Sequence, residues 1–166
     1  FLTEKILKIK GFNSMIQFYS AAEHVLKASY SPYSQFAVGA ALRCTNGKLY
    51  TGCNVENASY SIGICAERTA IVKAVSDSFQ KFTAIAVSAV LRNEFVSPCG
   101  ACRQFISEFA KERNIDVYLV NPELNNVCVT SISQLLPLTH AYSLTDNITR
   151  DWLAIIYVAI SCKFWN

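Results

Sequence analysis

Apolar positions along this chain repeat first at helical and then at strand spacing. Beginning at Ser14, the residues Met15, Phe18, Ala22, Val25 and Leu26 recur every three or four positions, which predicts an amphipathic helix. Ser14 followed by Gln17 reads as a capping box at its start. Ser31-Pro32-Tyr33-Ser34 breaks that pattern, and residues 36–43 and 48–55 then read as two strands joined by Asn46-Gly47, a dipeptide suited to a tight hairpin turn. Small and aliphatic side chains on most faces predict a buried helix from near Cys65 to about Asp77, and residues 83–91 form a short apolar run typical of a central strand. After Pro98, the set Cys102, Phe105, Ile106, Phe109 and Ala110 fits the template of a helix with one apolar face. Residues 117–120 and 127–130 supply two more short strands around the turn-rich residues 121–126, and a short helix follows near 132–136. This order predicts an α/β fold of three layers, α/β/α, with a central mixed five-stranded sheet.

The length of 166 residues, 52% of them apolar, suits one domain with a continuous core. That domain is expected over residues 1–140, with residues 141–166 an additional apolar tail. Within the tail, residues 152–165 carry Lys163 as their one charge, but fourteen residues fall short of the roughly 20 needed to cross a bilayer. Burial against protein is therefore expected, and no membrane partner. Fifteen Lys and Arg against twelve Asp and Glu leave a net charge of +3 spread along the chain, which gives no reason to expect a nucleic-acid partner. Seven cysteines form an odd set in which Cys99 and Cys102 alone have the short spacing that metals favour. That usage, and a first ten residues that alternate charge with aliphatic groups, predict a reducing, cytoplasmic location.

The chemistry is concentrated in Cys65-Ala66-Glu67 and Pro98-Cys99-Gly100-Ala101-Cys102, each at the start of a predicted helix. Three thiolates, from Cys65, Cys99 and Cys102, would leave one tetrahedral position of a zinc ion open, as catalytic rather than structural sites do. Glu67 leaves its helix in a different direction from Cys65 and is the candidate proton carrier, while Arg68 could donate to the sulfurs and offset their charge. Buried cysteines behaving as small hydrophobes are the bland alternative. A site closed by a fourth cysteine is another, and Cys53 is the candidate nearest in sequence.

With these motifs, and with residues 31–40, 52–58 and 64–70, the sequence resembles the small homotetrameric zinc-dependent cytidine deaminases over about residues 30–137. The resemblance implies hydrolytic deamination of free cytidine and deoxycytidine to uridine and deoxyuridine, with one zinc ion per chain held by the three cysteines, Glu67 moving protons, and attack at C4 of the base. It implies that Asn54 and Glu56 hold the ribose hydroxyls and that Phe36 packs against the base. The Ala66 amide would donate to the base carbonyl, and Ala58 and Tyr60 belong to the same pocket. It also implies a homotetramer whose sites are completed by neighbouring chains. Where many members place a phenylalanine after Leu-Leu-Pro, this chain has Leu138-Thr139-His140-Ala141-Tyr142, so His140 or Tyr142 becomes the candidate contact to a neighbour's pocket. Deamination of a cytosine-like nucleoside antibiotic or of a polynucleotide, and an inactive zinc-stabilised binding subunit, are the alternatives.

Overall fold

The computed structural model describes residues 12–92, 94–110, 114–124 and 126–138. His140, Tyr142 and the apolar tail lie outside the described residues. Helix α1 spans Phe12–Leu26, β1 Val38–Cys44, β2 Leu49–Cys53, α2 Ala66–Ser76, β3 Phe82–Ala89, α3 Gly100–Ser107, β4 Asp116–Asn121, β5 Asn126–Ser131 and α4 Ile132–Leu135, with single turns of 3₁₀ helix at Tyr60–Ile62 and Pro122–Leu124. The five strands form one sheet in the order β2-β1-β3-β4-β5. The β3–β4 pair, joined through α3, is parallel, while β1–β2, β1–β3 and β4–β5 are antiparallel. The sheet is therefore mixed, as expected.

Alternation along the strands divides the side chains between two cores. One face sends Ala40, Leu42, Tyr50, Ile85, Val87, Val117 and Leu119 against Ala66, Ala70, Ile71 and Ala74 of α2 and Ile106 of α3. The other sends Ala41, Ala84 and Ala86 against Phe18 and Ala22 of α1. Each face buries a helix layer because residues two apart on a strand share a side. The Asn46-Gly47 turn forms as expected: Gly47 takes φ +86°, Asn46 Oδ1 accepts the Lys48 amide at 3.0 Å, and Cys44 N–H donates to Lys48 O at 2.9 Å.

Two local expectations need correction. Helix α1 starts at Phe12, directly after Gly11 in sequence, so Ser14 stands inside the helix and does not cap it. Helix α3 ends at Ser107, and Phe109 and Ala110 reach the core from the turns that follow. Phe105 remains 37% exposed although its ring lies against that of Phe109, tilted by 51° with centroids 6.2 Å apart. The helical template had placed it inward.

Candidate metal centre and adjoining cleft

Helices α2 and α3 point their N-termini at one spot. Cys65 is the N-cap residue of α2 and Cys99 that of α3, both with extended backbone, and neither side chain caps its helix. Their sulfurs remain available for a metal, and the positive ends of two helix dipoles favour thiolates there. Cys102, one helical turn after Cys99 and fully buried, brings the third sulfur. All three Sγ atoms lie within 4.8 Å of one another, and Cys65 Sγ stands 3.9 Å from Cys99 Sγ. Tetrahedral zinc with Zn–S bonds near 2.3 Å requires sulfurs about 3.8 Å apart, so this edge fits the ion with little movement. Cys53 is not part of the cluster: its Sγ donates to Ala28 O at 3.3 Å. Among the described residues the thiol set is three, which leaves a coordination position open.

The charges around the sulfurs are unequal. Cys65 is pushed well below an ordinary thiol by a hydrogen bond from Cys102, and then by Arg68, while Cys102 is driven upward as the partner that keeps its proton and as a buried group. Arg68 Nη2 lies 3.7 Å from Cys65 Sγ and 3.5 Å from Gly63 O. Its Nε is buried with no hydrogen-bond partner among the described residues. Glu67, in the first turn of α2, is 4% exposed, and burial raises its carboxyl above the usual range, with the Cys65 charge adding to the effect. A carboxyl so placed exchanges a proton nearer neutral pH than a solvated one.

A cleft of about 520 Å³ adjoins the cluster, its lining including Cys65 and Arg68 together with Asn54, Glu56, Asn57 and Ser61. Asn54 and Glu56 follow β2 and tie the preceding loop in place. Asn54 Oδ1 accepts the Val38 amide at 2.8 Å and the Ser29 hydroxyl at 2.5 Å, and its Nδ2 donates to Phe36 O at 2.9 Å. Glu56 Oε2 accepts the Tyr33 and Ser34 amides at 3.0 and 3.2 Å, and Oε1 accepts the Ser34 hydroxyl. That hydroxyl, then the two amides, hold the Glu56 carboxyl below its ordinary range.

Residues 13–117 match the sequence profile described as the cytidine and deoxycytidylate deaminase zinc-binding region. The chain belongs to this deaminase family. Among the family's relatives, a cytidine deaminase of Sporosarcina psychrophila is 50% identical over 109 residues, which are 66% of this chain and 78% of that protein. A probable cytidine deaminase of Dictyostelium discoideum is 45% identical over 117 residues, 70% of this chain and 77% of that one. The crystal structure of a cytidine deaminase from Burkholderia pseudomallei superposes with a TM-score of 0.70 at 43% identity, covering 75% of this chain and 97% of that chain. The deaminase fold and a zinc cofactor are thus both accounted for, and the three-cysteine cluster is the set of groups that fits the ion.

The expected family residues are only partly gathered at the cleft. Cys65, Asn54, Glu56 and Arg68 line it, with Glu67 buried one residue beyond Ala66. Phe36 is half-buried and Ala58 exposed, and neither lines the cleft as it stands; Ala66 is fully buried, and Tyr60 begins the 3₁₀ turn. Ser29, Asn57 and Ser61 were not foreseen. Asn57 and Ser61 flank the recognised blocks, but the Ser29 to Asn54 contact spans 25 residues and leaves no mark on local spacing.

Proposed function

We propose that the protein hydrolyses the exocyclic C–N bond of free cytidine and deoxycytidine, releasing ammonia and giving uridine and deoxyuridine. The observation that carries this reading is the buried carboxyl of Glu67 beside three convergent thiols, one of which, Cys65, lines a cleft shared with the polar Asn54, Glu56, Asn57 and Ser61. Cys65, Cys99 and Cys102 would hold the zinc. Zinc bound there supplies a water acidic enough to act as a nucleophile near neutral pH.

The chain's own residues account for the remaining work. The Glu67 carboxylate accepts a proton and delivers protons to N3 of the base and to the departing amine, a cycle suited to a carboxyl whose affinity for protons burial has increased. The Ala66 amide, in the first turn of α2, is one of the N–H groups without a helical partner and can donate to the base carbonyl. Asn54 and Glu56 face the cleft with part of their hydrogen-bonding capacity already used on the loop; the second N–H of Nδ2 and the remaining lone pairs of Glu56 suit a ribose diol. Phe36, Ala58 and Tyr60 are the further residues we assign to the nucleoside pocket, on the family resemblance of their motifs. The wider reading is a homotetramer acting in the cytoplasm, with His140 or Tyr142 contributing to a neighbour's pocket, and with residues 1–140 one domain and 141–166 an appendage to it.

Loss of cytidine absorbance tests the proposal. The wild-type chain is expected to turn over cytidine, and Glu67→Gln is expected to keep its zinc while losing at least about a hundredfold in kcat. Undiminished turnover in that variant would exclude Glu67 as the proton carrier.

A further inference from the structure

The ten-residue connection from β3 to α3 delivers Cys99 to the metal centre, and it is pinned at both ends. Near β3, the amide of Asn121, 1% exposed, donates from Nδ2 to Leu91 O at 2.6 Å and to Glu94 O at 2.7 Å. Near α3, Arg103 donates from Nε to Pro98 O at 2.7 Å and from Nη2 to Ser97 Oγ at 3.0 Å, while Nη1 reaches Leu135 O at the end of α4 at 3.2 Å. One guanidinium therefore joins the two residues before Cys99, the helix that carries Cys102, and the helix that leads into residues 136–138.

We propose that Arg103 is a positioning residue that sets the Cys99 thiolate in register with Cys65 and Cys102 by clamping the Ser97 hydroxyl and the Pro98 carbonyl. Its N–H groups go to Pro98 O, Ser97 Oγ and Leu135 O, whereas Arg68 is the cation whose guanidinium reaches a sulfur, that of Cys65 at 3.7 Å. Its planar, divergent N–H groups serve three acceptors on two separate segments, which a lysine ammonium cannot do from one point. Without the clamp, Pro98 O and Leu135 O lose a partly buried donor, and the turn carrying Cys99 gains freedom that metal binding must then remove. Groups that orient metal ligands typically govern affinity by roughly 10–100-fold. The proposal rests on the assignment of the three cysteines as zinc ligands.

The test uses the zinc-loaded full chain and an excess of a chromophoric chelator. Arg103→Lys is expected to release zinc at least about tenfold faster than wild type and to alter the thiolate-to-metal absorption of the cobalt-substituted protein, with KM for cytidine little changed. Ser97→Ala, which removes one acceptor and leaves the fold's core untouched, should shift release in the same direction by less. Release at the wild-type rate with an unaltered cobalt spectrum, even if the metal-free variant melts lower, would reduce Arg103 to a stabilising residue and overturn the proposal. If Arg103→Lys fails to fold, Ser97→Ala decides the matter alone. A wild-type chain that cannot be loaded with zinc would instead overturn the ligand assignment on which the proposal stands.

Discussion

Gly52 of β2 lies directly beneath the first turn of α2, so close that a Cβ on it would sit 2.6 Å from Ala66 O and 2.8 Å from Thr69 Cβ, and would collide with the Ala70 amide. The absent side chain lets α2 rest on the sheet and sets the height of Cys65 and Glu67. Gly52→Ala must push the helix outward or distort the strand, a form of overpacking that costs about 1–3 kcal/mol. A lower urea midpoint together with faster zinc release is expected. Loss of stability with metal release unchanged would show that the helix N-terminus does not move with the rest of α2.

Arg68 is expected to tune the metal without being indispensable to the fold. Its guanidinium lies against Cys65 Sγ and the Gly63 carbonyl, and the hydrogen bond to the sulfur, reinforced by attraction, raises its own proton affinity further. Three thiolates on a dication carry excess negative charge, so Arg68→Gln should raise the zinc release rate by about tenfold and lower kcat. Chelator-competition kinetics and initial rates measure the two effects, and unchanged values for both would rule out the role.

Features set by neighbours in sequence were legible in it. The Asn46-Gly47 hairpin, the span of α2 and the two cysteine motifs at helix starts all depend on contacts a few residues apart, where residue type largely decides geometry. What escaped depends on distance along the chain. Asn54 had been assigned to a ribose, yet in the fold it first ties Ser29, Phe36 and Val38 together. Arg103 follows Cys102 and has no local signature, because its acceptors include Leu135, 32 residues away. Ser14 misled for the opposite reason: its spacing to Gln17 satisfied a local rule, but the helix already runs from Phe12 and Ser14 stands within it.

Glu56 should couple loop order to pH. Its carboxyl is held below the ordinary value of 4.5, first by the Ser34 hydroxyl and then by the Ser34 and Tyr33 amides. A carboxyl with a depressed folded value contributes stability that is fully present above its unfolded value and is lost as pH falls through the lower folded value. Ser34→Ala removes the leading cause, so the variant should be less stable than wild type at pH 6, with the gap narrowing at pH 3. Urea midpoints at the two pH values measure it, and a gap that stays constant would show that the hydroxyl acts on the loop without acting through the Glu56 charge.

The inequality between Cys65 and Cys102 predicts how the thiols behave once the metal is stripped. Cys65, partly accessible and lowered by its bond from Cys102 and by Arg68, holds a thiolate at pH 7; Cys102, fully buried and raised, keeps its proton. The thiolate is the nucleophile. In chelator-treated protein, iodoacetamide should therefore modify Cys65 well before Cys102, whereas zinc-loaded protein should resist at both over the same time. The Cys65 rate should reach its plateau below the ordinary thiol value of 9.0, and Arg68→Gln should move that plateau to higher pH by removing one of the groups that stabilises the anion. Peptide mass mapping across pH 5–10 follows both sites at once. Earlier modification of Cys102, or a Cys65 profile that rises only near pH 9, would mean that the shared proton lies on the other sulfur and that Arg68 has little hold on the cluster.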